Sequence, residues 1–338
     1  MEIRTFSSEI SLNTNLPALS LRLSSRKSTS SKKTLTPISK TRHSRPLLKK
    51  KNFASTKILT STTIKPRFLT NLSITKQLCP RPLVSAECWI TLETLSTKQL
   101  DGKNEDLPRE IASLSKIMTL ITVIQEIARK KRSFEEVVTI SLKASSIEGT
   151  SADLKFGDEV KIWDLLHGLM LPSGNDAAIA LAEFVGGMIN RNADPISSFV
   201  DKMNTNAKVL KLNDTFFNNP HGMSTSVNLS TARDMAMLAN YAIKMSTFRQ
   251  VVSTKKHVCN IYNPNGTRKV EWVNTNALLD KGFKGIKTGI TPAAGPCLCF
   301  FVEKKKKSMI GVLLNSRSMD ARWSEASKLL KYSINYLL

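Results

Sequence analysis

The sequence predicts an α/β protein in which one discontinuous sheet is flanked by helices and interrupted by an inserted helical lobe. Three observations carry this reading: a strand pattern beginning at Ala86, a helix-rich middle running from Ile111 to Lys244, and a return of strand patterns before a closing helical segment. Strands grouped at the two ends with helices grouped between them are not the regular alternation that builds a parallel βαβ sheet.

The elements follow in order. Ala86–Leu92 reads as a strand, and Asp101-Gly102 beyond it as a hairpin-turn signal. Pro108 precedes a long apolar segment, Ile111–Ile127, whose apolar positions crowd more than one face, so this helix is expected to be buried nearly all round. Residues 137–163 suggest short strands and turns. Ile162–Leu171 reads as a short helix ended by Pro172, and Asn175–Val185 as another, closed by Gly186-Gly187. Helical patterns recur at Ile196–Leu210 and Thr231–Lys244. Strand signals return from Val251, with strands at Phe283–Lys287, Cys297–Val302 and Ser308–Leu314 and a solvated turn at Lys304–Lys307. A helical pattern from Ala321 to Tyr336 closes the chain.

The formal charge of +23 invites a nucleic-acid or anionic-surface reading, but its distribution argues otherwise. The first 80 residues hold 16 Lys/Arg against two acids, Glu2 and Glu9, and supply roughly +14 of the total. This Ser/Thr-rich stretch offers too little apolar surface to offset the entropy of ordering. It lacks the apolar core of a secretory signal and has the Arg-rich, acid-poor composition of an organelle transit peptide. An extension without an address is the alternative. A nucleic-acid arm is disfavoured, because the cations are not interleaved with aromatics. Residues 1–84 are therefore set apart from a folded unit at 85–338. No run of 18 apolar residues occurs, so no transmembrane helix is read. The five cysteines (Cys79, Cys88, Cys259, Cys297, Cys299) are odd in number and irregularly spaced, which is not a disulfide framework. Cys297 and Cys299, two apart in an apolar run, are expected as buried thiols on one face of a strand. The histidines (His43, His167, His221, His257) make no HExxH-type spacing, and neither metal nor cofactor is expected.

Three short segments carry chemistry. In Ser113-Leu114-Ser115-Lys116 a helical spacing of three places an amine beside a hydroxyl. A serine needs a base to become a nucleophile, and a lysine serves as that base only where burial or a neighbouring cation lowers its pKa. The same spacing recurs at Ser24/Lys27, Ser30/Lys33, Ser73/Lys76 and Ser253/Lys256, but only the pair at 113/116 opens a long apolar helix. Ser173-Gly174-Asn175 follows a helix-ending proline and can aim a hydroxyl and an amide into a cleft; a helix N-cap is the plainer role for Ser173. Lys287-Thr288-Gly289, at a strand end, offers a cation and a hydroxyl to a carboxylate, with a glycine that lets a ligand approach the strand.

In this order the three segments form the Ser-x-x-Lys, Ser-x-Asn, Lys-Thr-Gly set of penicillin-binding proteins and serine β-lactamases. The flanking stretches "REIASLSKIMT", "GLMLPSGNDAAIALAEFVGG", "NNPHGM", "STARDMAMLA" and "GIKTGITPAAGPCLCF" resemble the low-molecular-weight D-alanyl-D-alanine carboxypeptidases of peptidase family S11, from Ser85 to the end. The resemblance implies a β-lactamase/DD-peptidase (transpeptidase-like) fold with an antiparallel sheet. It implies that Ser113 attacks the carbonyl between two D-alanines, that Lys116 takes its proton, and that Ser173 relays a proton to the leaving D-alanine. Asn175 would hold the substrate amide and Lys116, and Lys287 and Thr288 the terminal carboxylate. The backbone N–H groups of Ser113 and Ile290, the latter just past Gly289, would form the oxyanion hole. Water would then hydrolyse the acyl-enzyme, and penicillins would be trapped on it. The expected enzyme is a cofactor-free monomer acting on peptidyl-D-alanyl-D-alanine.

A class A β-lactamase shares all three motifs but deacylates with a glutamate from a loop after the second. No Glu lies between Glu183 and Glu271, so the carboxypeptidase reading is favoured. A catalytically silent binding protein on the same fold is the third possibility. Family members often carry a C-terminal β-domain, an amphipathic anchor and a secretory signal. None of these is read here, which points to an unusual compartment and leaves a substrate other than peptidoglycan open.

Overall fold

The computed structural model describes residues 80–224, 228–304 and 307–337. The basic segment ahead of Pro80, with Cys79 and His43, lies outside the described residues, as do Lys305 and Lys306 of the lysine run.

Five strands form the main sheet: β1 (Cys88–Glu93), β2 (Gln99–Lys103), β9 (Ile286–Gly289), β10 (Cys297–Lys304) and β11 (Lys307–Leu314). Their order is β2-β1-β11-β10-β9, antiparallel throughout. The N-terminal strand thus pairs with the last one, Cys88 opposite Leu314, and the sheet closes across the inserted lobe as expected. Alternation along β10 splits its side chains between two cores. Cys297, Cys299 and Phe301 face the larger core under the lobe, whereas Leu298, Phe300 and Val302 face a smaller one on the opposite side. The two cysteines are buried on one face and unbridged. Phe300 lies opposite Gly311, where a Cβ would meet its ring at 2.1 Å; the glycine makes room for the aromatic.

The lobe is built around α1 (Lys116–Arg129), buried at every position from Lys116 to Ile124. Around it stand α3 (Ile162–Met170), α4 (Asn175–Ile189), α5 (Pro195–Val209), α6 (Ala232–Ala242) and α7 (Ser246–Ser253), with the one-turn α2 (Leu142–Ser145) beside α4. The closing helix, α8 (Met319–Leu337), packs on the sheet's opposite face, where Ala326 and Leu329 enter the smaller core.

Four expectations are corrected. Asp101-Gly102 is not a turn: both residues lie inside β2, opposite Thr91 and Ile90, and the hairpin turns before them, where Thr97 adopts φ +57°. Gly186-Gly187 does not end α4. The helix runs through both, because α5 crosses so closely that a Cβ on Gly186 would sit 1.8 Å from Pro195 O. Val251 lies in a helix, α7, and the strand placed at 283–287 begins only at Ile286. The lobe also carries a sheet of its own, β4 (Val137–Thr139), β5 (Glu159–Lys161), β7 (Lys256–Asn263) and β8 (Gly266–Val273), and a two-stranded ribbon of β3 (Arg109–Glu110) and β6 (Leu229–Ser230).

Candidate active site

Ser113 lies in a single 3₁₀ turn, Ala112–Ser115, that feeds directly into α1 rather than in the α-helix itself. Ala112 sets this turn by adopting φ +48°, a left-handed conformation that costs a residue with a Cβ about 1–3 kcal/mol and persists only where neighbours enforce it. Two glycines do so. A Cβ on Gly222 would come within 2.0 Å of Ala112 O, and one on Gly289 would come 3.2 Å from Ser113 N. In a 3₁₀ turn residues three apart eclipse each other, so the side chain of Lys116 stands over that of Ser113. Their Nζ···Oγ separation is 2.9 Å.

Lys116 is fully buried and makes two further contacts, to Asn175 Oδ1 at 2.7 Å and to the His221 carbonyl at 2.8 Å. Both partners accept hydrogen bonds. The orientation of the Asn175 amide follows from its Nδ2, which donates to Glu148 O at 2.7 Å. Burial holds the Lys116 amine well below its usual pKa; the charge of Lys287 adds to this and that of Asp176 opposes it. A neutral amine has two N–H groups and one lone pair. With both N–H groups committed to Asn175 and His221, the lone pair is left to face the Ser113 hydroxyl.

Ser173 does not cap a helix. Gly174 occupies the N-cap of α4, and Ser173 itself is held at φ +69° between Pro172 and Gly174. Its hydroxyl is buried without a hydrogen-bond partner. An orphaned buried hydroxyl costs roughly 1–3 kcal/mol, which marks a group that awaits a ligand or has a catalytic use. Asn175 opens α4. Behind them the buried Asp176 carboxylate gathers the backbone N–H groups of Ala152 and Leu154 and the Ser151 hydroxyl, fixing the loop that faces the turn.

On the opposite wall, β9 carries the third segment. Thr288 Oγ1 lies 2.8 Å from Thr275 Oγ1. Lys287, opposite Cys299 in the ladder, donates to Thr288 O at 3.0 Å and is buried rather than part of the cleft lining, near enough for its charge to act on Lys116. Burial, with the nearby Arg322, pushes its pKa down to about 7. The cleft of about 310 Å³ between these walls is lined by Ser113, Ser173, Asn175, Thr288, Gly289 and Ile290, among others. The three sequence segments therefore meet at one cleft, each contributing at least one side chain to its lining, with the Lys116 and Lys287 amines buried beside it.

Several contributors escaped sequence reading. Arg322, from α8, lines the cleft and donates to the Gly289 and Cys297 carbonyls. His221 contributes a carbonyl, Gly222 its lack of a Cβ, and Glu148 a carbonyl behind Asn175. For His221 and Gly222 the available signal is the "NNPHGM" stretch, whereas no motif marks Glu148 or Arg322.

A serine hydroxyl 2.9 Å from a buried lysine amine, at the mouth of a helical lobe and against the edge of a five-stranded antiparallel sheet, is the arrangement of a serine hydrolase of the transpeptidase-like fold. The family model described as D-alanyl-D-alanine carboxypeptidase, peptidase S11, matches residues 75–318. The chain belongs to this family of D-alanyl-D-alanine carboxypeptidases. It is 36% identical over 260 residues to the D-alanyl-D-alanine carboxypeptidase of Streptomyces sp. strain K15, covering 75% of this chain and 88% of that one. It is 33% identical to D-alanyl-D-alanine carboxypeptidase DacC of Escherichia coli strain K12, over 77% of this chain but 64% of that longer protein. The crystal structure of the Streptomyces K15 DD-transpeptidase superposes with a TM-score of 0.71 at 37% identity, covering 76% of this chain and 99% of that one.

Proposed function

We propose that the protein removes the terminal D-alanine from peptidyl-D-alanyl-D-alanine through an acyl-enzyme on Ser113. The observation that carries this reading is the hydrogen-bond arrangement around Lys116, which, in the neutral amine that burial favours, leaves its lone pair for the Ser113 proton. Ser113 Oγ attacks the carbonyl between the two D-alanines while Lys116 accepts the hydroxyl proton. The developing oxyanion is held by the backbone N–H groups of Ser113 and Ile290, a reading supported by the close approach of Gly289, the residue before Ile290, to the Ser113 amide. The unpartnered Ser173 hydroxyl passes a proton to the leaving amine. Asn175 keeps the base oriented. The substrate carboxylate meets Thr288 and Arg322 at the cleft surface and the charge of the buried Lys287. Water resolves the ester. A β-lactam entering the same site acylates Ser113 and stays.

A fluorescent penicillin should label the protein stoichiometrically on the Ser113 peptide, and diacetyl-lysyl-D-alanyl-D-alanine should release D-alanine. Labelling that persists in Ser113→Ala would overturn the assignment. Labelling without D-alanine release would favour a silent binder, and rapid β-lactam turnover a β-lactamase. Transfer to an amine uses the same acylation, and the Streptomyces relative is described under both activities; adding glycine as acceptor and analysing products separates them. The unit acts as a monomer, which light scattering checks. Residues 1–84 direct it to an organelle, a role supported by their composition and tested by fusing them to a fluorescent protein.

A further inference from the structure

Apart from the catalytic cleft, one cluster among the described residues combines three different metal-ligating side chains. Asp164 lies in the first turn of α3, and His257 and Cys259 lie two apart on β7. The twofold alternation of a strand turns both β7 side chains to the same side, against α3, while Lys256, Val258 and Asn260 between and beside them face outward. One ligand atom from each of the three residues lies within 4.8 Å of the others. His257 Nε2 is 2.7 Å from Asp164 Oδ1. The imidazole is clamped in plane between His167, stacked at 3.9 Å, and the Trp272 indole at 6.0 Å. Asp164 and His257 keep 14% and 16% of their side-chain surface exposed, enough for an ion to enter, while Cys259 closes the inner side.

We propose that Asp164, His257 and Cys259 form a binding site for a thiophilic divalent cation of the zinc type. A carboxylate, an imidazole and a thiol are the donor types such ions take, and three protein ligands leave one position for water. The pairing of Asp164 with His257 holds two of the donors together in advance. Binding replaces hydrogen with metal at two atoms: the Cys259 thiol releases its proton to solvent, and His257 frees Nε2 by carrying its proton on Nδ1. The neutral thiol, the neutral imidazole, the carboxylate and M²⁺ thus give an uncharged complex and one H⁺. His167 is not a ligand, since its Nδ1 is already bonded to Trp163 O at 2.9 Å.

The site joins β7 to the helix that leads into Ser173. Trp272, stacked on His257, donates through Nε1 to Ala152 O, and Ala152 N in turn donates to the Asp176 carboxylate behind the cleft. An ion here therefore braces the wall of the cleft without touching the reacting atoms. Spacing alone could not find it, because Asp164 and His257 are 93 residues apart.

The test uses the full chain, reduced and stripped with a chelator. Cobalt(II) should give a thiolate-to-cobalt charge-transfer band saturating at one equivalent per chain, and zinc should displace it and raise Tm, as any ligand selective for the folded state must. The band should vanish in Cys259→Ser, weaken at least about tenfold in His257→Gln and Asp164→Asn, and survive in Cys299→Ser. Fluorescent-penicillin labelling confirms that each variant is folded. In the wild-type chain, zinc should also slow alkylation of Cys259, a readout that does not depend on any variant folding. A band that persists in Cys259→Ser, or alkylation of Cys259 unchanged by excess zinc, overturns the proposal.

Discussion

Asn175 accepts a 2.7 Å hydrogen bond from Lys116 through Oδ1, and it has no freedom to turn over, because Nδ2 is tied to Glu148 O. The amide is a neutral acceptor that orients the Lys116 amine and stabilises its charged form far less than a carboxylate would. Asn175→Asp would place a carboxylate there and favour the ammonium. Acylation by a fluorescent penicillin should fall by about 10²-fold or more at neutral pH. Because an adjacent anion raises the Lys116 pKa, the acid limb of the pH–rate profile should move to higher pH. An unshifted limb would show that Asn175 acts on the substrate alone.

Lys287 predicts a second pH effect. Its pKa of about 7 means that the cation is lost as pH rises through neutrality, so kcat/KM for a free-carboxylate peptide should decline on the alkaline side with a midpoint near 7. The same peptide with an amidated C-terminus should lack this limb. For stability the sign is opposite. Between about 7 and the unfolded value of 10.5 the unfolded chain binds the extra proton, so this lysine makes folding more favourable as pH climbs across that window.

Gly222→Ala should disable the nucleophile from a distance. The position has φ +91°, and a Cβ would meet Ala112 O at 2.0 Å. Relief requires moving the turn that holds Ser113. Penicillin labelling should be lost, and stability should fall by about 1–3 kcal/mol in denaturant titration.

Gly186→Ala and Gly187→Ala should have opposite effects despite being neighbours in one helix. A Cβ at Gly186 collides with Pro195 O at 1.8 Å, whereas one at Gly187 meets nothing within 4 Å. The first variant should lose stability. The second should gain about 0.5–1 kcal/mol, since alanine restricts the unfolded chain and suits a helix. Thermal melts of the two decide it.

Deleting residues 1–79 should leave the rate of penicillin labelling unchanged. Arg81 is already engaged, pairing with Asp101 at 2.9 Å and lying over the Trp89 ring, so cutting beyond Pro80 should begin to cost stability. A truncated chain that folds but no longer acylates would contradict this division.

The order of elements was legible because burial leaves a periodic trace: α1 is apolar all round, and β10 alternates between two cores. Local signals misled where a distant partner decides the conformation. Gly186 reads as a terminator until Pro195 is placed against it, and Asp101-Gly102 reads as a turn until β1 pairs with it. The small sheet of the lobe was missed as a unit because its strands come from residues 137–161 and 256–273, with five helices between them. At the candidate site, Ser113, Lys116, Ser173, Asn175 and Thr288, which the fold brings together, are marked in the sequence by their side-chain chemistry. His221 and Glu148 act through carbonyls that every residue possesses, and Arg322 arrives from a helix with no motif of its own.

The pairing of β1 with β11 also governs when this chain can become active. Cys88 finds its strand partner only at Leu314, and Arg322 arrives later still. A polypeptide leaving a ribosome, or threading a membrane pore amino end first, carries Ser113 and Lys116 long before the opposite wall exists. Until β11 is delivered it has a serine and an amine but not the opposite wall, so a molecule interrupted before that strand should not acylate.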